Sequence, residues 1–263
     1  MSADVTESPQ AAGLPPEHAA ILAGVPVPHG ARIETASVRY RHGDTELEGY
    51  LARDAAATGS RPGVLIVHDW TGVGPNVQMR AQMLARLGYV ALAADVYGVG
   101  VRPTGDAASS VARRFYQDLP LLRARVAAGF EQLGRTPRVD PARLAVIGYC
   151  FGGTAALEFA RTGAATAGVV SFHGGLIAHD PSDAQAIRAS LLILTGGSDP
   201  SVPDDAVVAF EDELRAAPDV EWELTSYSGA PHAFTVPGSD RYRPLADARS
   251  WRRLVDFLGE VLG

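Results

Sequence analysis

The sequence predicts an α/β fold: a mostly parallel central sheet flanked by helices, with an antiparallel hairpin near the N-terminus. Short apolar runs typical of buried strands alternate with stretches of helical periodicity. A glycine-flanked turn, Gly148-Tyr149-Cys150-Phe151-Gly152, lies between one such run and one such helix. Polar residues follow two later strand runs, at the edge where open α/β sheets carry their sites.

Composition limits the possible functions. The chain has 263 residues, 46% of them hydrophobic, which is enough to bury one substantial core. A net charge of −7 argues against binding to nucleic acid or to an anionic membrane. A single cysteine fits a reducing compartment. Because neither a signal peptide nor a membrane span is recognisable, we expect a cytoplasmic protein.

The elements are predicted in chain order. Residues 1–30, rich in Ala, Pro, Glu and Ser, form a tail, and residues 31–263 form a single domain. Alternating polarity on both sides of a His-Gly-Asp turn predicts the hairpin, strands 33–41 and 45–53. Apolar runs predict strands at residues 63–67, 89–94, 144–147, 167–172 and 191–195, and a further strand is predicted at 221–227.

Helical periodicity is interrupted at recognisable residues. Asn76 is predicted to cap a helix over 76–87 that Gly88 ends. A glycine-rich segment, residues 97–107, precedes a helical region over 109–133 that Pro120 breaks. The remaining helices are predicted at 154–160, 203–215 and 243–262.

The turn around Cys150 has the nucleophile-elbow pattern, with sulfur in place of the usual serine oxygen. A strand before it and a helix after it supply the context that this pattern needs. The helix dipole favours thiolate at the first turn of the helix. The alternative is that Cys150 is a small buried hydrophobic residue, as free cysteines often are.

Two later loops supply a base and an acid. Asp199 follows strand 191–195, and His232 follows strand 221–227, so the chain order is nucleophile, acid, histidine. We predict that Cys150 attacks an acyl carbon, that His232 takes the thiol proton, and that Asp199 orients the imidazole. Alternatively, His232 is an ordinary loop histidine and Asp199 a turn residue before proline, with Asp204 and Asp205 as substitute acids.

Further residues complete the predicted site. The backbone N–H of Phe151 and that of Trp70, in the loop after strand 63–67, are predicted to form the oxyanion hole. The side chains predicted to line the substrate pocket, each with core packing as the alternative, are Tyr97, Tyr116, Phe172 and His173.

These motifs resemble those of the dienelactone hydrolase family over roughly residues 35–260. The matching segments are His68-Asp69-Trp70-Thr71-Gly72-Val73, Ala94-Asp95-Val96-Tyr97, Gly148-Tyr149-Cys150-Phe151-Gly152-Gly153, Gly197-Ser198-Asp199 with Val202-Pro203, and Pro231-His232-Ala233-Phe234. The resemblance implies an α/β-hydrolase fold, a Cys-Asp-His triad, and hydrolysis of small esters or lactones without a cofactor.

The resemblance also implies roles for Asp69 and Arg113. In the family a carboxylate in the Asp69 loop modulates the resting thiol; here it is Asp rather than Glu, and the alternative is a local hydrogen-bonding role. The dienelactone-specific enzyme binds a substrate carboxylate with two arginines. Arg113 and Arg114 match the first, but no arginine closely follows His232, and Arg241 comes later. We therefore predict that dienelactone is a poor substrate.

Two competing functions remain open at this stage. A thioesterase or an acyl-transferring cyclase would use the same acyl-enzyme, and a non-catalytic binding protein would keep only the fold. In each case the predicted partner is a small molecule, namely an ester, lactone or thioester. The sequence leaves the oligomeric state open.

Overall fold

The computed structural model describes residues 5–6 and 13–263. Their contacts divide the chain into two compact units, Met1–Leu144 and Ala145–Gly263. Part of the predicted tail is helical: α1 spans Pro16–Ala23, and Arg86 Nη1 donates to the carbonyls of Leu22 and Val25, both at 2.7 Å. The prediction for residues 1–4 and 7–12 lies outside the described residues.

The first unit contains a mixed group of strands. They are β1 (Val5–Thr6), β2 (Ile33–His42), β3 (Thr45–Asp54), β4 (Arg61–Val67) and β5 (Val90–Ala94), in the spatial order β1-β2-β3-β5-β4. Strands β2 and β3 form the predicted antiparallel hairpin, whose turn contains Gly43 at φ +55°. Strands β4 and β5 are parallel, and nearly all their side chains are buried.

Three further helices belong to the first unit: α2 (Pro75–Arg86), α3 (Gly105–Tyr116) and α4 (Leu119–Gly134). The prediction that Asn76 caps α2 is wrong, because Gly74 is the N-cap and Pro75 takes the first helical position, where its fixed φ suits the helix. The predicted break near Pro120 is confirmed. There the Asp118 side chain accepts from the Leu121 N–H at 3.0 Å and caps α4.

The second unit contains parallel strands. Strand β6 (Val139–Tyr149) begins in the first unit and pairs with β7 (Gly168–Phe172) through residues 145–149. Strands β8 (Ser190–Gly196) and β9 (Trp222–Tyr227) follow, so the order is β6-β7-β8-β9. Helices α5 (Phe151–Ala160), α7 (Asp204–Arg215) and α8 (Pro244–Leu262) match predicted helices, whereas the short α6 (Pro181–Ala184) was not predicted.

The parallel strands of the second unit position its functional loops. Their carboxyl ends lie at Tyr149, Phe172, Gly196 and Tyr227, and since the strands run in one direction, the residues that follow meet at one edge. Helix α5 is buried along its whole length, which fixes the residue before it. In the part of the chain that the structure describes, no helix is long and apolar enough to cross a membrane.

Candidate active site

Cys150 lies between β6 and α5 in a backbone conformation that is unusual for a residue with a side chain. It is the N-cap of α5, at φ +55° and ψ −117°, in a region that side chains rarely adopt. Its N–H donates to the Phe172 carbonyl at 2.9 Å, which ties the turn to the end of β7. Gly148 permits the turn, because a Cβ there would overlap the carbonyl oxygen of Gly152.

The structure brings Cys150, His232 and Asp199 together. Cys150 Sγ lies 2.9 Å from His232 Nε2, and His232 Nδ1 lies 2.8 Å from Asp199 Oδ2. The Asp199 side chain is fully buried, the His232 side chain is 15% exposed, and Cys150 is partly exposed. The thiol therefore faces a base whose other nitrogen is occupied by a carboxylate, and a small molecule has access from solvent.

The acid loop is held by its own backbone and by the histidine loop. Asp199 Oδ1 accepts from the Ser201 N–H at 2.8 Å, which leaves Oδ2 directed at the imidazole. The Ser198 N–H donates to the Ala230 carbonyl at 3.0 Å. Gly196 permits this close approach, because a Cβ there would overlap the Ala230 oxygen. The contact between the two loops thus fixes the position of Asp199 relative to His232.

The surroundings of His232 favour its protonated form. Burial by itself lowers the pKa of His232, but hydrogen bonds to Asp199 and to Cys150 outweigh it and raise the pKa to about 10. Protonation of the imidazole places a positive charge beside the buried Asp199 carboxylate. This arrangement can accept a proton from the thiol and return it to a leaving group.

Two residues predicted to line the pocket are buried. Phe172 and His173 are 1% and 0% exposed, which fits the alternative of core packing, and their role in lining a substrate pocket stays a prediction. Phe172 stacks on Tyr149 with ring centroids 4.5 Å apart, because the two are paired as the last residues of the neighbouring strands β7 and β6. His173 lies edge-on to His232, with centroids 5.4 Å apart.

The remaining predicted residues belong to the first unit. Tyr97 is 8% exposed, stacks on Phe115 with centroids 5.3 Å apart, and donates its hydroxyl to the Trp70 carbonyl at 3.2 Å. Trp70 and Tyr116 are 38% and 39% exposed, and Arg113 lies on an exposed face of α3. The roles predicted for these four residues stay predictions.

Asp69 makes local hydrogen bonds. Its Oδ1 accepts from the Thr71 N–H at 2.8 Å and from the Thr71 hydroxyl. These contacts match the alternative role that the sequence allowed, in which Asp69 shapes its own loop. Modulation of the thiol by Asp69 stays a prediction.

One buried ionic cluster escaped sequence analysis. Arg161 donates to Glu213 through Nε at 2.8 Å and Nη2 at 2.9 Å, and to Glu158 through Nη1 at 3.0 Å. His179 Nε2 lies 2.7 Å from Glu158 Oε1. No local pattern announces this cluster, since Arg161 and Glu213 are 52 residues apart. Among the described residues, no group of three or more His, Cys, Asp or Glu side chains is arranged to hold a metal ion.

The chain is similar to known proteins over most of its length. The model of the dienelactone hydrolase family matches residues 47–262. The crystal structure of a dienelactone hydrolase-like promiscuous phosphotriesterase from metagenomic libraries is 36% identical. It covers 89% of this chain and 100% of its own, with a TM-score of 0.84. The predicted fold class, a mostly parallel sheet flanked by helices, is thereby confirmed.

Two curated relatives carry names that state an activity. A probable 2-oxo-3-(5-oxofuran-2-ylidene)propanoate lactonase of a Bradyrhizobium species is 29% identical over 82% of this chain and 90% of its own. A Salmonella typhimurium protein described as a putative carboxymethylenebutenolidase is 25% identical over 83% of this chain and 84% of its own.

Proposed function

The chain belongs to the dienelactone hydrolase family and is a hydrolase of ester or lactone bonds, and on that premise we propose that the Cys150 thiol is its nucleophile. One observation carries the proposal: the unbroken hydrogen-bonded series from Cys150 Sγ through His232 to Asp199, at 2.9 and 2.8 Å. A nucleophile, a base and an orienting acid within hydrogen-bond reach are the arrangement that covalent acyl transfer requires.

In the first half of the proposed reaction, Cys150 Sγ attacks the carbonyl carbon and forms a C–S bond. His232 Nε2 takes the thiol proton, and Asp199 stabilises the resulting imidazolium. The tetrahedral intermediate then collapses, the C–O bond breaks, and Nε2 passes the proton to the leaving alkoxide. The product is a thioester on Cys150, and for a lactone the new hydroxyl stays attached to the acyl group.

In the second half, His232 Nε2 takes a proton from water, and the hydroxide attacks the thioester carbon. The C–S bond breaks, the carboxylic acid leaves, and the thiolate recovers the proton from Nε2. The high pKa of the His232 imidazolium, raised to about 10, favours proton storage during acylation. No cofactor takes part in this scheme.

The backbone N–H of Phe151 is assigned to stabilise the oxyanion of the tetrahedral intermediate. Phe151 is the first residue of α5, where backbone N–H groups point out of the helix toward developing negative charge. Loss of one such donor costs about 3–4 kcal/mol in hydrolases that use them. The assignment of a second donor to Trp70 rests on the sequence alone.

The substrate is a small ester or lactone other than dienelactone. An arginine pair that clamps a carboxylate depends on the guanidinium fork. Residues 233–236, directly after His232, contain no arginine, and both Arg113 and Arg241 are exposed. Dienelactone is therefore expected to turn over more slowly than the best simple ester.

Phosphotriester hydrolysis is a second candidate activity. It is favoured by the solved dienelactone hydrolase-like structure, 36% identical, which is described as a promiscuous phosphotriesterase. A thiolate that attacks an acyl carbon is also able to attack phosphorus. A thioesterase or cyclase activity would share the acyl-enzyme and differ only in what resolves it.

The test is hydrolysis of a panel by the wild type and by Cys150→Ala. The panel holds a nitrophenyl ester, a simple lactone, dienelactone, an acyl thioester and a phosphotriester, and intact-protein mass is recorded during turnover. We expect ester or lactone hydrolysis and a mass adduct that both vanish in Cys150→Ala. Hydrolysis that persists in Cys150→Ala would rule out the thiol as nucleophile.

A further inference from the structure

His173 directly follows the last residue of β7 and has a backbone conformation that a residue other than glycine adopts only when its surroundings impose it. Its φ is +41°, it is 0% exposed, and its N–H donates to the Leu194 carbonyl of β8 at 2.8 Å. Backbone outliers of this kind concentrate at functional sites. The reaction scheme nevertheless assigns no task to His173.

The side chain of His173 contacts three residues of the histidine loop. Its ring lies edge-on to His232, with centroids 5.4 Å apart, and to Phe234, with centroids 5.2 Å apart. His173 Nε2 is hydrogen-bonded to Thr235 Oγ1 at 2.8 Å. Phe234 and Thr235 are both 0% exposed, so these contacts form a buried anchor directly after the base.

The histidine loop needs such an anchor. Residues 228–243 contain neither helix nor strand, and Ala233, next to His232, has φ +59°. Of the four non-glycine residues with positive φ among the described residues, three are Cys150, His173 and Ala233. Each lies in the triad or beside it, and the strained residue of the histidine loop itself is Ala233, directly after His232.

We propose that His173, through its bond to Thr235 and its contact with the His232 ring, is a positioning residue that keeps His232 in line between Cys150 and Asp199. This inference deepens the proposed function and rests on it. A packing contact alone would leave the His232 ring free to rotate within its own plane. The hydrogen bond from a fully buried partner fixes the loop three residues away and thereby the direction of both His232 nitrogens.

The test compares Thr235→Val, which removes the hydroxyl and keeps the shape, with Thr235→Ser, which keeps the hydroxyl. Thr166→Val is the matched control, because Thr166 is a buried threonine at the opposite end of β7 that bonds the Gly168 carbonyl. The first readout is the rate at which iodoacetamide alkylates Cys150 at pH 6 divided by the rate at pH 9. This ratio reports the thiolate that His232 holds at low pH.

We expect Thr235→Val to lower the alkylation ratio about fivefold and kcat about tenfold, with KM within about twofold, because the base is misplaced while the pocket is not. Thr235→Ser should restore both quantities, and Thr166→Val should leave both unchanged. The ionisable groups that face this pair are Cys150, Asp199 and, against His173, Tyr149.

A Thr235→Val variant that matches Thr166→Val in ratio and in kcat would overturn the proposal. Should Thr235→Val fail to fold, the alkylation ratio is measured on His173→Asn, since asparagine tolerates positive φ but lacks the ring. An alkylation ratio equal to that of the wild type would then overturn the proposal. Alkylation needs no ester. A wild type that alkylates readily at pH 6 but hydrolyses nothing therefore refutes the proposed function alone.

Discussion

Two clusters of charged side chains lie at opposite ends of α5, and each contains a histidine paired with a carboxylate. At the N-terminal end His232 Nδ1 lies 2.8 Å from Asp199; at the other end His179 Nε2 lies 2.7 Å from Glu158. The pairs are nearly equal in distance. They differ in what the second imidazole nitrogen faces, which is the Cys150 thiol at 2.9 Å in one and Asp183 at 3.6 Å in the other.

The clusters also differ in how their carboxylates are used. In the second cluster Arg161 bridges Glu158 and Glu213, and all three side chains are at most 2% exposed. The Arg161 guanidinium donates to oxygens of both glutamates, and the second nitrogen of His179 faces Asp183 rather than a nucleophile. The two histidine side chains are almost equally exposed, at 15% and 16%, so the difference that matters for reactivity is the nucleophile beside His232. The second cluster instead joins α5, α7 and the segment before α6.

The largest effect is expected from Asp199→Asn. An amide at this position no longer stabilises the imidazolium and favours the wrong tautomer, so kcat should fall about 10³- to 10⁴-fold. Steady-state kinetics on the best ester of the panel measures the loss, and the exposed Asp204→Asn serves as the control. An equal loss in Asp204→Asn would transfer the acid role to that residue.

Arg161→Met should have the next largest effect, on stability rather than on turnover. It leaves Glu158 and Glu213 buried without their cation, which costs about 3–5 kcal/mol of the free energy of unfolding. Urea denaturation measures this. The control is Arg135→Met, whose partner Glu131 is exposed, with an expected cost below about 1 kcal/mol. Similar costs for the two variants would mean that the buried cluster is not structurally important.

The third effect concerns pH. His232 holds its proton up to a pKa of about 10 in the folded protein and loses it near 6.5 in the unfolded chain. Between these values the folded state binds more protons, so the stabilisation is complete below pH 6.5 and is lost as pH rises toward 10. We expect a loss on the order of 2 kcal/mol, less than the full pKa shift would give, because the His232 side chain is partly exposed to solvent.

Urea denaturation across this pH range measures that loss. The reference is Asp199→Asn, in which one cause of the raised pKa is removed, so its stability should fall less steeply with pH. Identical slopes in the two proteins would contradict a coupled Asp199–His232 pair.

The smallest effect is expected from His179→Leu. It deprives Glu158 of one hydrogen bond, but Arg161 still compensates the charge, so the expected cost is about 1–2 kcal/mol of the free energy of unfolding. Turnover of the best ester should stay within about twofold of the wild type. A loss of turnover comparable with that of Asp199→Asn would show that the two histidines do not differ as described.

Local signals made most of the fold predictable. Apolar runs identified the buried strands of both units, the turn at Gly43 identified the hairpin, and Pro120 marked the break between α3 and α4. Helix boundaries were less accurate, because Pro75 rather than Asn76 begins α2. The short α1 and α6 were missed, since neither has a long amphipathic pattern to reveal it.

The sequence by itself determined which residues meet at the candidate site. The elbow glycines, the chain order, and the position of Asp199 and His232 just after strand ends required no knowledge of distant contacts, because parallel strands gather such residues at one edge. Family membership followed from the same short motifs.

Only the tertiary structure decided what surrounds those residues. It showed that His173 and Phe172 are buried, and it brought Arg161 to Glu213 from 52 residues away. The physical reason is that burial and long-range ion pairing depend on which side chains fill the same volume. That volume is set by packing between elements, which no local spacing in the sequence encodes.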